Sequence, residues 1–180
     1  MRIIKIFIAI LCLSLNACQN NEKPQENNAP AQLATNSTQG NILEPELLIS
    51  KVEAAELLGE AVEDGKKSET KAVGQKICFY KPVNSSSRRF LQISLTQDSF
   101  MPPAGVGSET IYRETKKMIV NSKTDIKEIG NDTFIAANGI NIFKDGYYII
   151  ISSSLVHKND GDLTLKSAGK KALENLERFK

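Results

Sequence analysis

The sequence predicts an α+β fold: an antiparallel sheet of about six strands with a C-terminal meander, and helices packed on the sheet. Three observations carry this. Short apolar segments in the C-terminal half are separated by Asn131-Asp132, Asn138-Gly139 and Asp145-Gly146. Asn-Gly and Asp-Gly are the favoured residues of two-residue type I′ hairpins, which need positive φ at both central positions, so these segments form an antiparallel meander. Tyr147-Tyr148-Ile149-Ile150-Ile151 is apolar on both faces, which places it centrally in the sheet and calls for cover on both sides. Helical stripes before and after this run of strands must bury their apolar side on the sheet. The predicted order is α-β-β-α-β-β-β-β-α over residues 42–180.

The chain opens with Arg2 and Lys5, followed by Ile6 to Leu15 without a charge. That is the n-region and h-region of a secretory signal. The apolar run is about half of the ~20 residues a helix needs to cross a bilayer, so it is not a membrane span. It ends in Leu15-Asn16-Ala17-Cys18, which resembles the lipobox of bacterial lipoproteins. The resemblance implies diacylglycerol on the Cys18 sulfur, cleavage before it, and usually acylation of the new amino terminus. Residues 1–17 are then the signal peptide. Two or three acyl chains, at ~0.8 kcal/mol per buried methylene, hold a protein on a membrane where a single myristoyl chain does not. Gln19, in place of the Asp that retains such proteins at an inner membrane, implies the outer membrane facing the periplasm if the cell is diderm. The alternative is an ordinary secretory signal in which Cys18 is incidental.

Gln19 to Asn41 is rich in Asn, Gln, Pro, Thr and Ala, with Leu33 its one large apolar residue. Such a segment buries too little surface to offset its ordering entropy, so a disordered tether is expected over residues 18–41. A flexible coil of about two dozen residues reaches roughly 25 to 30 Å.

Charge excludes one class of partner. The full chain has 23 Lys and Arg against 21 Asp and Glu, and the signal peptide takes Arg2 and Lys5 with it, leaving a formally neutral mature protein. Without a broad basic field, nucleic acid is disfavoured as a partner. Of three cysteines, Cys12 leaves with the signal and Cys18 carries lipid, so only Cys78 remains. It reads as a buried strand cysteine acting as a small hydrophobe; a mixed disulfide with a partner is the other option. No CxxC or Cys/His pairing supports a metal, and no cofactor is expected.

Within the domain, Ser50 and Glu53 form a capping box, Val52, Ala55 and Leu58 follow at helical spacing, and Gly59 supplies the stop. A strand is expected at Lys76 to Tyr80, with Ile77 and Phe79 on one side. Another runs from Phe90 to Thr96, where Leu91, Ile93 and Leu95 alternate with Gln92, Ser94 and Thr96. The second helix, from Glu109 to Val120, has Ser108 as its cap and Ile111, Thr115, Met118 and Ile119 inside, with acidic and basic residues placed to suit its dipole. The meander follows as strands near Asp125 to Ile129, Thr133 to Ala137, Ile140 to Lys144 and Tyr147 to Ser153. The last helix runs from Leu163 or Thr164 to Arg178, capped by Asp162, with Leu165, Ala168, Ala172, Leu176 and Phe179 along one stripe.

Glu44-Pro45-Glu46-Leu47-Leu48-Ile49-Ser50, the segment Glu53 to Gly59, and Cys78-Phe79-Tyr80 resemble a family of actinobacterial-type secreted lipoproteins. That family opens on Asp-Pro-Cys-x-Leu-Leu, continues with a helix ending Leu-Gly, and has a Cys-x-Tyr/Trp strand. The resemblance implies a domain of unknown biochemical role with a PsbP-like α/β/α shape. Here Glu46 stands at the family's first cysteine, so the disulfide that would join it to Cys78 is absent.

Little in the chain suggests catalysis. His157 is the only histidine, with no Gly-x-Ser-x-Gly elbow to serve, and reads as a solvated loop residue. Asn159-Asp160-Gly161-Asp162 lacks calcium-loop spacing and reads as a turn into a helix cap. Ser85-Ser86-Ser87-Arg88-Arg89 offers anion donors but reads as a solvated hairpin loop. The loop Phe100 to Gly107 is more suggestive. Phe100, Met101 and Val106 sit among rigid prolines and mobile glycines, either as the lip of an apolar site or as a plug over the core. The expectation is a lipid-anchored, non-enzymatic binding or accessory module, with an envelope protein or small apolar ligand at Phe100, Met101 and Val106. An envelope-maintenance hydrolase, its site assembled from residues distant in sequence, is the alternative.

Overall fold

A computed structural model describes residues 41–119, 123–130, 132–136, 139–154 and 159–179, with backbone alone for 123 and 159–163. The expected signal, Cys18 and all of the expected tether but Asn41 lie outside the described residues, as does His157.

The elements are α1 (Pro45–Leu48), α2 (Lys51–Leu58), β1 (Lys66–Thr70), β2 (Gln75–Tyr80), β3 (Leu91–Gln97), α3 (Ser108–Met118), β4 (Lys123–Asp125), β5 (Asp132–Ala136), β6 (Gly139–Lys144), β7 (Tyr147–Ser153) and α4 (Asn159–Glu177). All seven strands join one antiparallel sheet in the order β1-β2-β3-β7-β6-β5-β4. The α+β class and the antiparallel C-terminal meander are as the sequence predicts, with one strand more than expected, but Asp132 and Gly139, expected in turns, are the first residues of β5 and β6, paired with Phe143 and Ala136, while Asn131 and Asn138 lie outside the described residues. β7 is fourth of seven, the central place its two apolar faces require.

Register sorts the side chains. Cys78, Ile93, Ile151, Ile140 and Ile135 stand in one row across five strands. With Leu91, Leu95, Ile142 and Ile149 they form the main core, into which α1, α2 and α4 send Leu48, Ala54, Leu58, Leu165, Ala168, Ala172 and Leu176. The rows that alternate with it face the other way. On that face Phe134, Ala136 and Tyr148, each from a different row, pack with Tyr112 of α3 as a second, smaller cluster.

α2 forms where its capping box predicts. Ser50 Oγ accepts from the Glu53 N–H at 3.4 Å, Glu53 Oε2 accepts from the Ser50 N–H at 2.8 Å, and Gly59 closes the helix at φ 71°. Its buried residues are Ala54 and Leu58, whereas Val52 is exposed. Over two turns with five apolar residues, spacing alone does not select one stripe.

α3 corrects two expectations. Ser108 is inside the helix, not its cap: its N–H donates to Asp98 Oδ1 at 2.7 Å and its hydroxyl donates to the Gly146 carbonyl at 2.6 Å. The capping acceptor comes from ten residues upstream, which no local pattern encodes. The inner face centres on Tyr112, while Met118 points to solvent. The stripe runs 108, 112, 115, 119, and Met118 lies one residue off it.

In the meander, Asp145 (φ 49°) and Gly146 (φ 84°) make the predicted type I′ turn. The first meander strand is shorter and earlier than expected; Ile126 and Ile129 instead sit buried in the turn that follows it. α4 begins at Asn159, so Asp162 lies within the helix and does not cap it, and Phe179, beyond its end, is half exposed. β1 was not legible at all, because Lys66-Lys67-Ser68-Glu69-Thr70 has no apolar residue and is exposed throughout.

Candidate functional site

The strands bring one set of ends together. β3 ends at Gln97, β2 begins at Gln75 opposite Thr96, and β7 begins at Tyr147 opposite Gln97. Gln97 is only 1% exposed. Its Oε1 accepts from the Leu43 N–H at 2.8 Å and its Nε2 donates to the Leu43 carbonyl at 2.7 Å. This double bond to one backbone residue fixes the entry of the chain into the domain at this end of the sheet. The clamp leaves a sequence signal: 91, 93 and 95 are apolar core positions of one strand, and at 97 the alternation delivers a glutamine.

The loop carrying Phe100, Met101 and Val106 starts at the next residue. A 3-10 turn (Asp98–Phe100) leads into Met101-Pro102-Pro103-Ala104-Gly105-Val106-Gly107 and then α3. Met101 folds back as a wedge. A Cβ on Gly74 would lie 2.9 Å from its Cε and one on Gly105 would lie 2.4 Å from its Cγ, while the Gly107 N–H points at its Sδ at 3.3 Å. The side chain thus fills the space between the turn at Lys71–Val73 and the far end of its own loop. Phe100 lies under the Lys76 ammonium, 4.6 Å from the ring centroid, a cation–π contact. That ammonium is shared by Glu44 at 2.6 Å and Glu69 at 3.5 Å, and the hydrogen bond it donates to Glu44 holds its pKa above the ordinary lysine value. The three residues therefore share one loop but differ in role. Phe100 and Met101 are half-buried and brace the loop; Val106 is 68% exposed, and Val73 (41%) and Ile42 (50%) are exposed at the same end of the sheet.

A second feature surrounds Cys78. A cleft of about 310 Å³ is lined by Glu46, Ser50, Lys51, Asp64, Gly65, Lys67, Cys78 and Tyr80. Cys78 is free and fully buried, and burial pushes its thiol up, so it is a neutral, weakly nucleophilic group. Gly65 closes over it: a Cβ there would lie 2.3 Å from the sulfur. The Tyr80 hydroxyl donates to the Ile49 carbonyl at 3.0 Å. The charged rim is matched within itself, Lys67 with Glu46 and Lys51 with Asp64. The other Glu46 oxygen, Oε2, is buried without a hydrogen bond. Glu46, which stands where the resembled family has its first cysteine, thus lines the same cleft as Cys78.

Other expected residues are occupied with structure. Arg89 donates to the Leu58 carbonyl at 2.7 Å and lies 3.6 Å from Glu60, which also accepts from Ser87 Oγ at 2.8 Å. These residues of the Ser-Arg loop cap the C-terminal end of α2, where a cation suits the dipole. Asn175, unnoticed in the sequence, donates to the Leu48 carbonyl and to Glu53 Oε1, each at 3.0 Å, and ties α4 to α1 and α2. Among the described residues no group of three or more His, Cys, Asp or Glu is placed to hold a metal ion, and no helix is long and apolar enough to cross a membrane. No protein family, curated protein or solved structure matches the chain.

Proposed function

We propose that this protein is an envelope lipoprotein, acylated at Cys18 and tethered by residues 19–41, whose α+β domain is a non-enzymatic binding or accessory module. The anchor reading rests on the order of charge, apolar run and Leu15-Asn16-Ala17-Cys18. What supports a contact role for the domain is a single observation: Val106 stands exposed on a loop that Met101 and Phe100 hold in place. A loop braced from beneath presents its apolar residue at little ordering cost on contact. The carboxylates of the Cys78 cleft, Glu46 and Asp64, and the two on Lys76, Glu44 and Glu69, each face a lysine and link β1 and its neighbours to the helical segment before them. Metabolic labelling with palmitate tests the anchor. Wild type takes up label and Cys18→Ser does not; an unlabelled wild type would falsify it.

A further inference from the structure

We propose that the Phe100–Val106 loop rests on the surface of the bilayer in which Cys18 is anchored, so that the phospholipid surface is the partner of this end of the domain. The inference rests on the anchor reading above.

Placement is the first reason. Gln97 clamps Leu43, and the loop begins at the residue after Gln97, so the tether joins the domain beside the loop. Taken as the flexible coil that its composition predicts, the chain from Cys18 to Leu43 has a root-mean-square span of some 25 to 30 Å. The end of the sheet that receives the tether is therefore held within reach of the membrane, at high effective concentration.

Surface chemistry is the second. Ile42, Val73 and Val106 are exposed at this end, and Met101 lies between the turn that carries Val73 and the glycines that flank Val106. The acidic groups around them are engaged: Glu44 and Glu69 on Lys76, Asp98 on the Ser108 N–H, and Asp145 on Lys144. Lys71, exposed on the neighbouring turn, offers a cation to lipid phosphate. Little charge has to be desolvated for the valines to enter the interface.

Size decides between a membrane and a protein. Three exposed aliphatic side chains fall well short of the ~1,000 Å² that a specific protein interface needs. They suffice where an anchor already supplies the association, because the loop then adds only an intramolecular contact.

The test uses the full acylated chain in vesicles of phosphatidylethanolamine and phosphatidylglycerol containing spin-labelled lipid as quencher. Val106→Cys carries an environment-sensitive fluorophore. Val83→Cys, exposed on the loop beyond Tyr80 at the other end of β2, is the control. Cys78 is buried and Cys18 is blocked by its thioether, so neither takes the probe. Quenching at 106 is expected to exceed that at 83 by about threefold, with a blue-shifted emission. Equal quenching at the two positions in an acylated preparation overturns the loop contact, as does a photocrosslinker at 106 that captures a polypeptide in place of lipid in native envelopes. Absence of palmitate from the same preparation overturns the anchor reading and this contact with it.

Discussion

Gly65 is the residue whose environment allows least change. A Cβ there would lie 2.3 Å from Cys78 Sγ and 3.0 Å from Tyr80 Cε1, and the sulfur is anchored in the middle of a strand. Gly65→Ala is expected to destabilise the domain by about 1–3 kcal/mol, the range of overpacked cores. Adding Cys78→Ala removes the nearer obstacle, so the double variant should be more stable than the sum of the two single losses predicts; urea unfolding of the four chains reads the coupling. Strict additivity would show that the thiol is not what Gly65 accommodates. Glu53 gives a pH prediction. Burial pushes its carboxyl up, but hydrogen bonds from the Ser50 backbone and from Asn175, with Ser50 Oγ and the Lys171 charge, outweigh burial and leave its pKa below the ordinary 4.5. A depressed carboxylate stabilises the fold fully above its unfolded value and loses that contribution as pH falls through the folded one. Stability of the wild type should therefore drop as pH is lowered below 4.5, and Glu53→Gln should flatten that part of the profile.

At the scale of elements, Gln97 and Asn175 show what sequence patterns convey and what they leave out. Both stand where an apolar residue is due, Gln97 after Leu91, Ile93 and Leu95, and Asn175 beside Leu176 on the stripe of α4. A polar residue in a buried register is a legible sign of a specific bond, though its partner is not legible, since Leu43 is 54 residues away. Gln97→Leu leaves the Leu43 N–H and carbonyl without partners. It should cost about 2–6 kcal/mol, from ~1–3 kcal/mol for each of the two stranded buried groups. Amide exchange at Leu43 should rise with it, while β7 stays protected. Loss of protection across the whole sheet would mean that Gln97 supports the core and not the chain entry. α2, the Asp145-Gly146 turn and the central place of β7 were readable, because each depends on residues close in sequence or on an unbroken apolar run. β1 and the cap of α3 were not. β1 has no apolar residue to mark it, and Asp98 reaches Ser108 only through the fold.

At the scale of the whole molecule, the layering follows from strand parity. Most of the apolar residues of β3, β6 and β7 turn to the face covered by α1, α2 and α4, and the aromatic group under α3 fills the other. The polar, lysine-rich β1 closes one edge of the sheet and discourages pairing with another chain. The site residues were legible only in part. Phe100, Met101 and Val106 were found as an apolar loop, but their division into two braces and one exposed tip depends on Gly74 and Lys76, which come from another strand and turn. The place of Leu43 beside that loop depends on Gln97. What the domain contributes is therefore a fixed apolar tip at the end of the sheet where Gln97 holds Leu43, and its proposed use depends on the proposed anchor at Cys18. Intact-mass measurement of the chain extracted from envelopes with detergent tests that anchor most directly. The result predicted is a polypeptide that begins at Cys18 and carries diacylglycerol on its sulfur, with or without a further acyl chain on its amino terminus. A polypeptide that begins elsewhere, or that begins at Cys18 without lipid, would contradict it.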